Sequence, residues 1–338
     1  CSPKSKTYFM QRLRTIGQVF DYTFNNLESW DHNHEGRKTN VTNSNKFIDI
    51  HGRSLQISKI KQPTMDVVKT VLRERDDASN RTVNLCVGTT QVALNFCLGR
   101  GLIPWPDPRE LFIKSNRYSF PMLEVKRVDK PIFSKEQVIH MYEYGLRLSK
   151  SLGALYQNVA ETILLSAFTG ISWSEYIQLQ SCDIHLDARI PYIEVGGRRN
   201  FTLKRMVRKR KIPLANDSAM LIPILKRRME DVEHSVDYQL FGDDWISRGR
   251  PGQDQHRRIF ESITNDLNLT YDARGEKRTP YCLRHSFCTW SLRDGKCIET
   301  TSQLMGHSNL NTTRRYLHLV LDDYVESMPA SNQLAEVI

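Results

Sequence analysis

Long apolar runs and paired cysteines are missing from this sequence. No apolar stretch approaches the roughly 18 residues that a helix needs to cross a bilayer, and no signal-peptide pattern opens the chain. The seven cysteines are odd in number and scattered, and none forms a C-x-x-C pair. This argues against a zinc site and against a disulfide framework. We therefore expect a protein of a reducing compartment with no membrane partner.

Motifs for cofactors and metals are also missing. The sequence contains no P-loop and no cluster of carboxylates, so we expect no cofactor and no metal. The early histidines His32, His34 and His51 have no acidic or cysteine partners at ligand spacing, and we interpret them as exposed loop residues. The chain begins at Cys1 and not at a methionine, which indicates a fragment or a processed form.

Basic charge is in surplus. Lys and Arg number 48 against 38 Asp and Glu, which gives a formal net charge of +10. A surplus of this size suits a polyanionic partner such as nucleic acid, although on charge alone a solvated basic surface is the simpler explanation. With 39% hydrophobic and 25% charged residues, the 338-residue chain has a globular composition and a length typical of two or three domains.

The first third of the chain predicts mixed structure. Apolar residues at helical spacing from Phe9 to Phe24 favour a helix within residues 5–30. The stretch 30–46 is poor in apolar residues and is interpreted as a loop, and residues 47–60 as two short strands around His51-Gly52. Residues 62–106 predict two amphipathic helices, the second of which ends at Gly99-Arg100-Gly101 before three closely spaced prolines.

The remaining two thirds predict mainly helices with a small antiparallel sheet. Ser134 and Gln137 form a capping box for a helix that runs to about residue 150, and the next apolar helix ends at Gly170. Residues 190–195 and 210–214 predict the two strands of a hairpin. Asp217 is the expected N-cap of a later amphipathic helix. Three short helices follow after residue 279, and the last is expected to carry Tyr316.

One stretch, residues 279–318, combines residue types that suit phosphoryl transfer. Arg284 stands in a Tyr-x-x-Arg motif, His307 follows 23 residues later in a Gly-His pair, and Tyr316 comes 9 residues after His307. A phenol can attack phosphorus and hold it as an ester. A guanidinium can bind two phosphate oxygens, and a histidine can donate to the same oxygens as charge develops on them. Read alone, each of these residues is more simply a half-buried residue of a helical core.

At these residues the sequence resembles the tyrosine recombinases, which are site-specific DNA recombinases of the phage-integrase type. Three parts of the family's box are matched in order and at similar spacing: Tyr281-x-x-Arg284-His285, Met305-Gly306-His307 and Arg314-Arg315-Tyr316. The resemblance implies that Tyr316 forms a 3′-phosphotyrosyl bond, that Arg284 binds the phosphate and that His307 donates to it. Tyr281 stands in the family's auxiliary acid/base position, where a histidine is usual.

The sequence departs from the family's pattern at Ser172. The family has Thr-Gly-x-Arg-x-x-Glu, and its arginine is the first of two catalytic arginines, whereas this chain has Thr169-Gly170-Ile171-Ser172-Trp173-Ser174-Glu175. A hydroxyl supplies no charge to the phosphate, and the loss of one preorganised donor typically costs about 3–4 kcal/mol of transition-state stabilisation. Another cation must therefore compensate, or the activity is weak or lost.

A basic segment joins the two predicted hairpin strands. It has eight Lys or Arg residues between Arg198 and Lys211 and no acid. A solvated loop would explain it, and so would a hairpin that contacts DNA phosphates. The resemblance implies that a lysine here is the general acid for the leaving 5′ oxygen. Lys204 is the closest match, with Lys209 and Lys211 left open. The candidate DNA-binding residues are Arg198, Arg199, Arg205, Arg208, Lys209, Arg314, Arg315, Lys126 and Arg127.

The resemblance also implies a domain order and partners. We expect an N-terminal arm or extension (1–60), a helical core-binding domain (61–122), a linker (123–130) and a catalytic domain with a C-terminal tail (131–338). The implied partner is double-stranded DNA, bound by a homotetramer on two sites, with an accessory DNA-bending or directionality factor. The implied location is the cytoplasm of a bacterial host, at the nucleoid, and the implied role is integration of a phage or mobile element.

Two alternatives remain open from the sequence. One is a recombinase-like DNA-binding protein that is catalytically impaired through Ser172. The other is an enzyme resembling type IB topoisomerases, which share the Arg, Lys, His and Tyr set. A helix-turn-helix regulator is less favoured, because nothing in such a protein requires Tyr316.

Overall fold

The computed structural model describes residues 12–31, 34–104, 113–114, 117–125, 129–197, 209–230, 238–242, 250–317 and 320. The chain divides into two compact units, Cys1–Val128 and Asp129–Ile338. Each unit has its own apolar core. Of the helices within the described ranges, none combines the length and the apolar composition needed to cross a bilayer.

The N-terminal unit is built from helices and one short two-stranded ladder. Its helices are α1 (Ile16–Asn26), α2 (Glu28–Asp31), α3 (His34–His51), α4 (Gln62–Glu74) and α5 (Asn80–Gly99), and its strands are β1 (Ile113–Lys114) and β2 (Arg117–Tyr118). The long helix α5 contacts α1, α3 and α4. The two helices predicted between residues 62 and 106 are therefore confirmed. Of the helix predicted within residues 5–30, the structure shows residues 16–26, while residues 5–11 lie outside the described residues.

The loop and the hairpin predicted for residues 30–60 are wrong. Residues 34–51 form α3, and a 3-10 helix, Ile57–Lys59, follows it. Helix α3 is rich in Asn and Thr, which are weak helix formers, so its stability comes from packing. Phe47 packs edge-to-face on Phe20 with ring centroids 6.2 Å apart, and buried Asn43 donates to the Thr89 hydroxyl at 3.3 Å. His34 and His51 are therefore not loop residues, because the first begins this helix and the second ends it, while His32 lies outside the described residues.

The C-terminal unit is mainly helical with one small sheet. Its helices are α6 (Lys135–Leu152), α7 (Ala154–Thr169), α8 (Trp173–Tyr176), α9 (Ile222–Glu230), α10 (Arg250–Asp266), α11 (Pro280–Arg293), α12 (Ile298–Met305) and α13 (Leu310–Arg314). Its strands β3 (Ile184–His185), β4 (Tyr192–Val195) and β5 (Arg210–Pro213) are antiparallel in the order β3-β4-β5. The fold class and the predicted hairpin are thus confirmed, while the sequence did not predict β3.

Helix α7 lies at the centre of this unit. Residues 158–169 are all buried, and α6, α10 and α11 pack against the helix. Gly170 ends α7 in the left-handed region with φ +68°, as predicted. The predicted Ser134–Gln137 capping box is also present at the start of α6. Because α7 is enclosed on all sides, the residues at its C-terminus are held in a fixed position.

Two predicted details in this unit are wrong. Asp217 does not cap α9; it lies inside a 3-10 helix, Asn216–Leu221, and pairs with Lys135 at 2.8 Å. Tyr316 is not carried within a helix, because α13 ends at Arg314 and the tyrosine follows in a turn. A turn of this kind lets the Tyr316 side chain point back towards α11.

Candidate active site

A buried carboxylate, that of Glu175, forms the centre of the candidate site. Glu175 lies in α8, and its side chain is 2% exposed. Ser172 donates to Oε2 from its backbone N–H at 2.9 Å and from its hydroxyl at 2.8 Å. Arg210 donates from Nη1 to Oε1 at 2.9 Å, and Arg284 donates from Nη1 to Oε2 at 3.3 Å. Two guanidinium groups therefore share one carboxylate.

These contacts keep Glu175 charged. Burial alone raises the pKa of the Glu175 carboxyl, since desolvation penalises the charged form. The positive charges of Arg210 and Arg284 and the N–H of Ser172 outweigh burial and hold the pKa at about 2. With two guanidinium groups against one carboxylate, the centre carries one positive charge in excess at neutral pH.

Arg284 is held by the ends of two helices. It lies on α11 and is only 1% exposed. Its Nη1 donates to the backbone carbonyl of Gly170 at the end of α7, and its Nη2 donates to that of Met305 at the end of α12. The last carbonyls of a helix lack intrahelical partners and carry the negative end of the helix dipole, so a guanidinium is favoured there. Among the described residues, Nε of Arg284 has no hydrogen-bond partner.

Arg210 is a buried site residue that the sequence analysis did not single out. It begins β5, and its Nε donates to the Leu304 carbonyl near the end of α12 at 2.6 Å. In the sequence it is counted among the eight basic residues between Arg198 and Lys211, which suit either a solvated loop or a DNA-contacting hairpin, whereas in the structure it is 8% exposed and bound to Glu175. A signal was available: residues alternate along a strand, so Arg210 shares the buried face of β5 with Ile212.

Ser172 is part of the local structure of α8. It is the N-cap residue, 9% exposed, and it forms a capping box with Glu175. The hydroxyl that stands in the family's arginine position thus donates to a carboxylate within the protein. Two cations, Arg210 from β5 and Arg284 from α11, bind the same carboxylate as Ser172 does.

Tyr316 is half-buried against α11 and α12. Its ring packs with Phe287, Cys288 and Met305. Burial raises the pKa of the Tyr316 phenol well above its usual value, and the positive charges of Arg284 and Arg315 offset only part of this increase. The phenol is therefore protonated at neutral pH, and a nucleophilic role requires an acceptor for its proton.

His285 is the hydrogen-bond partner of the Tyr316 hydroxyl among the described residues. Its Nδ1 forms a hydrogen bond with the Tyr316 hydroxyl. Burial lowers the pKa of His285 to about 4, and the positive charges of Lys130 and Arg284 act in the same direction. The ring of Tyr281 meets the His285 ring edge-on at a centroid distance of 4.8 Å, while Tyr281 itself is 53% exposed. His285 belongs to the Tyr-x-x-Arg-His motif, but the motif alone assigns it no role.

His307 follows α12 directly after the left-handed Gly306. Its backbone N–H donates to the Ser302 carbonyl at 3.0 Å. Its Nδ1 shares a hydrogen bond of 2.9 Å with the hydroxyl of Thr313, a buried residue of α13. The contact ties the end of α12 to the short helix that precedes Tyr316.

The structure thus brings several predicted residues to one place. Arg284 directly precedes His285 on α11, and His285 bonds to the Tyr316 hydroxyl. His307 lies two residues after Met305, whose carbonyl accepts a hydrogen bond from Arg284. Within the described ranges, no group of three or more His, Cys, Asp or Glu side chains is arranged to hold a metal ion.

Other predicted residues are exposed or lie outside the described residues. Arg314 and Arg315 are exposed beside Tyr316. Lys209 is also exposed, and its Nζ lies 4.0 Å from Oε1 of Glu194. Lys211 lies over the ring of Tyr192, with its Nζ 4.7 Å from the ring centroid. The candidate general acid and six candidate DNA-binding residues lie outside the described residues: Lys204, Arg198, Arg199, Arg205, Arg208, Lys126 and Arg127.

The family comparison covers this site completely. The model of the phage integrase family matches residues 133–321, which is more than half of the chain. The chain belongs to the phage integrase family. The resemblance to tyrosine recombinases is therefore confirmed, and the type IB topoisomerase alternative is not favoured.

Curated relatives of this integrase-family chain include the Xer recombinases. It is 25% identical over 205 residues to the tyrosine recombinase XerD of Listeria innocua, an alignment that spans 59% of the chain and 63% of that relative, just under two thirds of its length. It is 27% identical over 243 residues to the tyrosine recombinase XerC of Staphylococcus carnosus, which spans 67% of the chain and 75% of the relative.

Solved integrase structures share the fold. The Tn1549 transposon integrase in complex with a circular intermediate DNA has a TM-score of 0.67 at 18% identity, and the alignment covers 90% of this chain and 95% of that one. A lambda integrase dimer bound to a COC′ core site has a TM-score of 0.61 at 13% identity, with coverage of 89% and 77%. Both likenesses extend over both units of the chain.

Proposed function

We propose that this protein is a site-specific DNA recombinase that cuts and rejoins DNA through a 3′-phosphotyrosyl intermediate. The observation that carries the proposal is the placement of Tyr316, whose hydroxyl bonds to the residue next to Arg284 although 32 positions separate Arg284 from Tyr316 in the sequence. A phenol and a buried guanidinium held this close suit attack on a phosphodiester.

In the proposed reaction each residue has one task. Tyr316 Oη attacks the scissile phosphorus, the bond from phosphorus to the 5′ oxygen breaks, and the phosphate stays on Tyr316. Arg284 binds the non-bridging oxygens, because its fork keeps donors that the two helix carbonyls and Glu175 do not occupy. His307 donates to the same oxygens, and Thr313 holds its ring in place. The family's pattern assigns protonation of the leaving oxygen to Lys204, and the auxiliary acid/base position to Tyr281.

Arg210 supplies the positive charge that the family has at the position of Ser172. Its guanidinium shares Glu175 with Arg284, so the centre keeps two arginines although the family's first arginine is absent. The site therefore retains an excess positive charge for a phosphate. Electrostatic preorganisation of this kind acts over several ångströms in a site from which water is excluded.

The proposed partners follow the family. The DNA-bound relatives support double-stranded DNA as the substrate, with a tetramer on two sites as the reacting assembly and an accessory DNA-bending or directionality factor. Arg314 and Arg315 would contact phosphates beside Tyr316. Residues 61–122 would form the core-binding domain, and 131–338 the catalytic domain. We place the protein in the cytoplasm of a bacterial host, at the nucleoid, where it serves integration of a phage or mobile element.

Covalent trapping tests this function. Duplexes selected by binding from a random-sequence library would be nicked near the bound site and incubated with the full chain in EDTA. The expected result is a protein–DNA adduct on a denaturing gel that disappears with Tyr316→Phe. If DNA is bound without an adduct, the protein is instead the catalytically impaired DNA-binding alternative.

The variant Ser172→Arg tests whether the site lacks a positive charge that it needs or whether Arg210 already supplies that charge. If Arg210 supplies the missing charge, wild type forms the adduct and Ser172→Arg gains little, because it also breaks the capping box with Glu175. If the wild-type protein forms no adduct and Ser172→Arg does, Arg210 does not replace the charge of the family's arginine. Ser174→Arg, two residues along α8, is the matched control for an added arginine.

A further inference from the structure

The hydrogen bond between His285 and Tyr316 places a proton acceptor on the attacking atom. His285 Nδ1 is the one partner that the described residues provide for the Tyr316 hydroxyl. Because the phenol carries the proton, it donates, and Nδ1 accepts with the ring proton on Nε2. The bond spans 31 residues of sequence and joins α11 to the turn after α13.

The surroundings keep His285 in the state that accepts. The groups that face it are the ammonium of Lys130 before α6, the Arg284 guanidinium and Tyr281 ring on α11, and the Tyr316 hydroxyl. Burial and the two cations disfavour the imidazolium. The ring is therefore neutral over the physiological range, and its Nδ1 lone pair is available to the phenol.

Tyr281 is placed less well for the same task. It occupies the family's auxiliary acid/base position on α11, but it is 53% exposed, and its ring contacts the His285 ring edge-on. Within the described residues, the Tyr316 hydroxyl has a hydrogen bond with His285 and none with Tyr281.

We propose that His285, and not Tyr281, accepts the proton of Tyr316 when the phosphotyrosyl bond forms. The inference rests on the proposed function. The Oη–P bond forms, the Oη–H bond breaks and its proton passes to Nδ1. The bond from phosphorus to the 5′ oxygen breaks, and the leaving oxygen takes a proton from the general acid. In the rejoining step His285 returns its proton to Tyr316.

Binding of DNA makes this transfer more favourable. A phosphodiester brings negative charge to a pocket whose cations disfavour a charged His285. The added charge stabilises the imidazolium and raises its pKa towards the range in which a general base is effective. The resting enzyme thus holds a protonated tyrosine, and the substrate supplies the charge that completes its activation.

His285→Asn is the decisive variant. The Asn Oδ1 takes the place of Nδ1 and accepts the same hydrogen bond, but it cannot take a proton. With a saturating nicked duplex selected as above, adduct formation should slow by about 100-fold, the lower end of the range for general-base catalysis, while DNA affinity stays unchanged. His140→Asn, an exposed histidine on α6, is the matched control and should form the adduct at the wild-type rate.

Added bases distinguish proton transfer from positioning. In His285→Ala, imidazole and a series of methylated imidazoles should restore part of the lost rate, and restoration should grow with the basicity of the added base. A positioning role gives no such dependence. A wild-type rate in His285→Asn, or rescue that is independent of base strength, overturns the inference.

A measurement without DNA separates this inference from the proposed function. In protein labelled with ¹⁵N-histidine, Tyr316→Phe should shift the His285 Nδ1 resonance, which is assigned by its loss in His285→Asn. An unmoved resonance contradicts the hydrogen bond itself. If the resonance moves but wild type forms no adduct on any selected duplex, the proposed function has failed, and the proton-transfer role fails with it.

Discussion

At the scale of single residues, Glu175 has the largest expected effect on stability. In Glu175→Gln the two buried guanidinium groups lose their shared counter-charge. Removal of one partner from a buried ion pair typically costs about 3–5 kcal/mol, because a charge is left uncompensated. We expect a fall of at least about 3 kcal/mol in the free energy of unfolding, measured by urea denaturation at pH 7.

The matched control is Glu261→Gln, which removes a carboxylate from a partly exposed pair with Lys277. Such pairs contribute about 0–1 kcal/mol. Acid provides a second check. Since the folded pKa of Glu175 lies below its ordinary value of 4.5, its stabilisation is present above pH 4.5 and is lost as the pH falls towards 2. The stability of Glu175→Gln should lack this acid-sensitive contribution. An equal loss of unfolding free energy in Glu175→Gln and Glu261→Gln would contradict the role of Glu175 as the shared counter-charge.

Gly170 is required by space as well as by backbone conformation. A Cβ at Gly170 would lie 2.5 Å from Cδ1 of Phe287 and 3.0 Å from Sδ of Met305. Gly170→Ala should therefore destabilise the protein by about 2–5 kcal/mol, the sum of left-handed strain and overpacking. It should also slow adduct formation, because the Gly170 carbonyl positions Arg284. Thermal unfolding and covalent trapping measure the two effects.

Gly295 is the matched control for backbone strain. It follows α11 at φ +81°, and a Cβ there meets no atom within 4 Å. Gly295→Ala should cost only the left-handed penalty of about 1–2 kcal/mol and leave adduct formation unchanged. Equal destabilisation by both alanines would show that packing around Gly170 adds nothing.

At the scale of elements, the link between α12 and α13 depends on one side chain. Thr313→Val keeps the shape of the side chain but removes the hydroxyl that bonds to His307. We expect a loss of about 1 kcal/mol in stability and a slower rate of adduct formation, because His307 loses the contact that orients its ring. The measurements are thermal unfolding and single-turnover trapping.

Thr312→Val is the control, since Thr312 precedes Thr313 on the same short helix and is only half-buried. It should leave the trapping rate unchanged. If both valine variants slow trapping equally, the effect arises from α13 as a whole and not from the bond to His307.

At the scale of the whole molecule, buried histidines should make stability depend on pH. Burial lowers the pKa of His256 to about 3. In the folded protein its ring forms hydrogen bonds with the hydroxyls of Thr162 and Tyr176. A folded pKa below the unfolded value of about 6.5 means that the unfolded chain binds more protons below pH 6.5. Stability should therefore fall from pH 6.5 towards 4, by up to about 1.4 kcal/mol per pH unit for each such group.

Urea denaturation at pH 7, 6 and 5 tests this for His256→Gln. Glutamine cannot be protonated in this range, so the variant should lose less stability on acidification than wild type does. His140→Gln, at an exposed position, should follow the wild type. A variant with an undiminished slope would assign the pH dependence to other groups.

The helices of the C-terminal unit were predictable because their signals are local. Capping at Ser134 and left-handed glycines at 170, 295 and 306 act within a few residues, and so does the strand alternation in β5. Helix α3 was not predictable, because it depends on contacts such as that of Phe47 with Phe20 on α1. The site followed the same division: the motif identified Arg284, His307 and Tyr316, but their partners come from distant parts of the chain.

The sequence by itself determined the family and the mainly helical class, and it identified Arg284, His307 and Tyr316 as candidate site residues, since these reside in residue types at fixed spacings. Only the tertiary structure decided which groups meet. It directs Arg210 inward to Glu175, places two helix C-termini on Arg284, and brings His285 to the Tyr316 hydroxyl. The reason is physical: a buried charge needs a partner wherever the fold can supply one, and spacing along the chain does not record which partner that is.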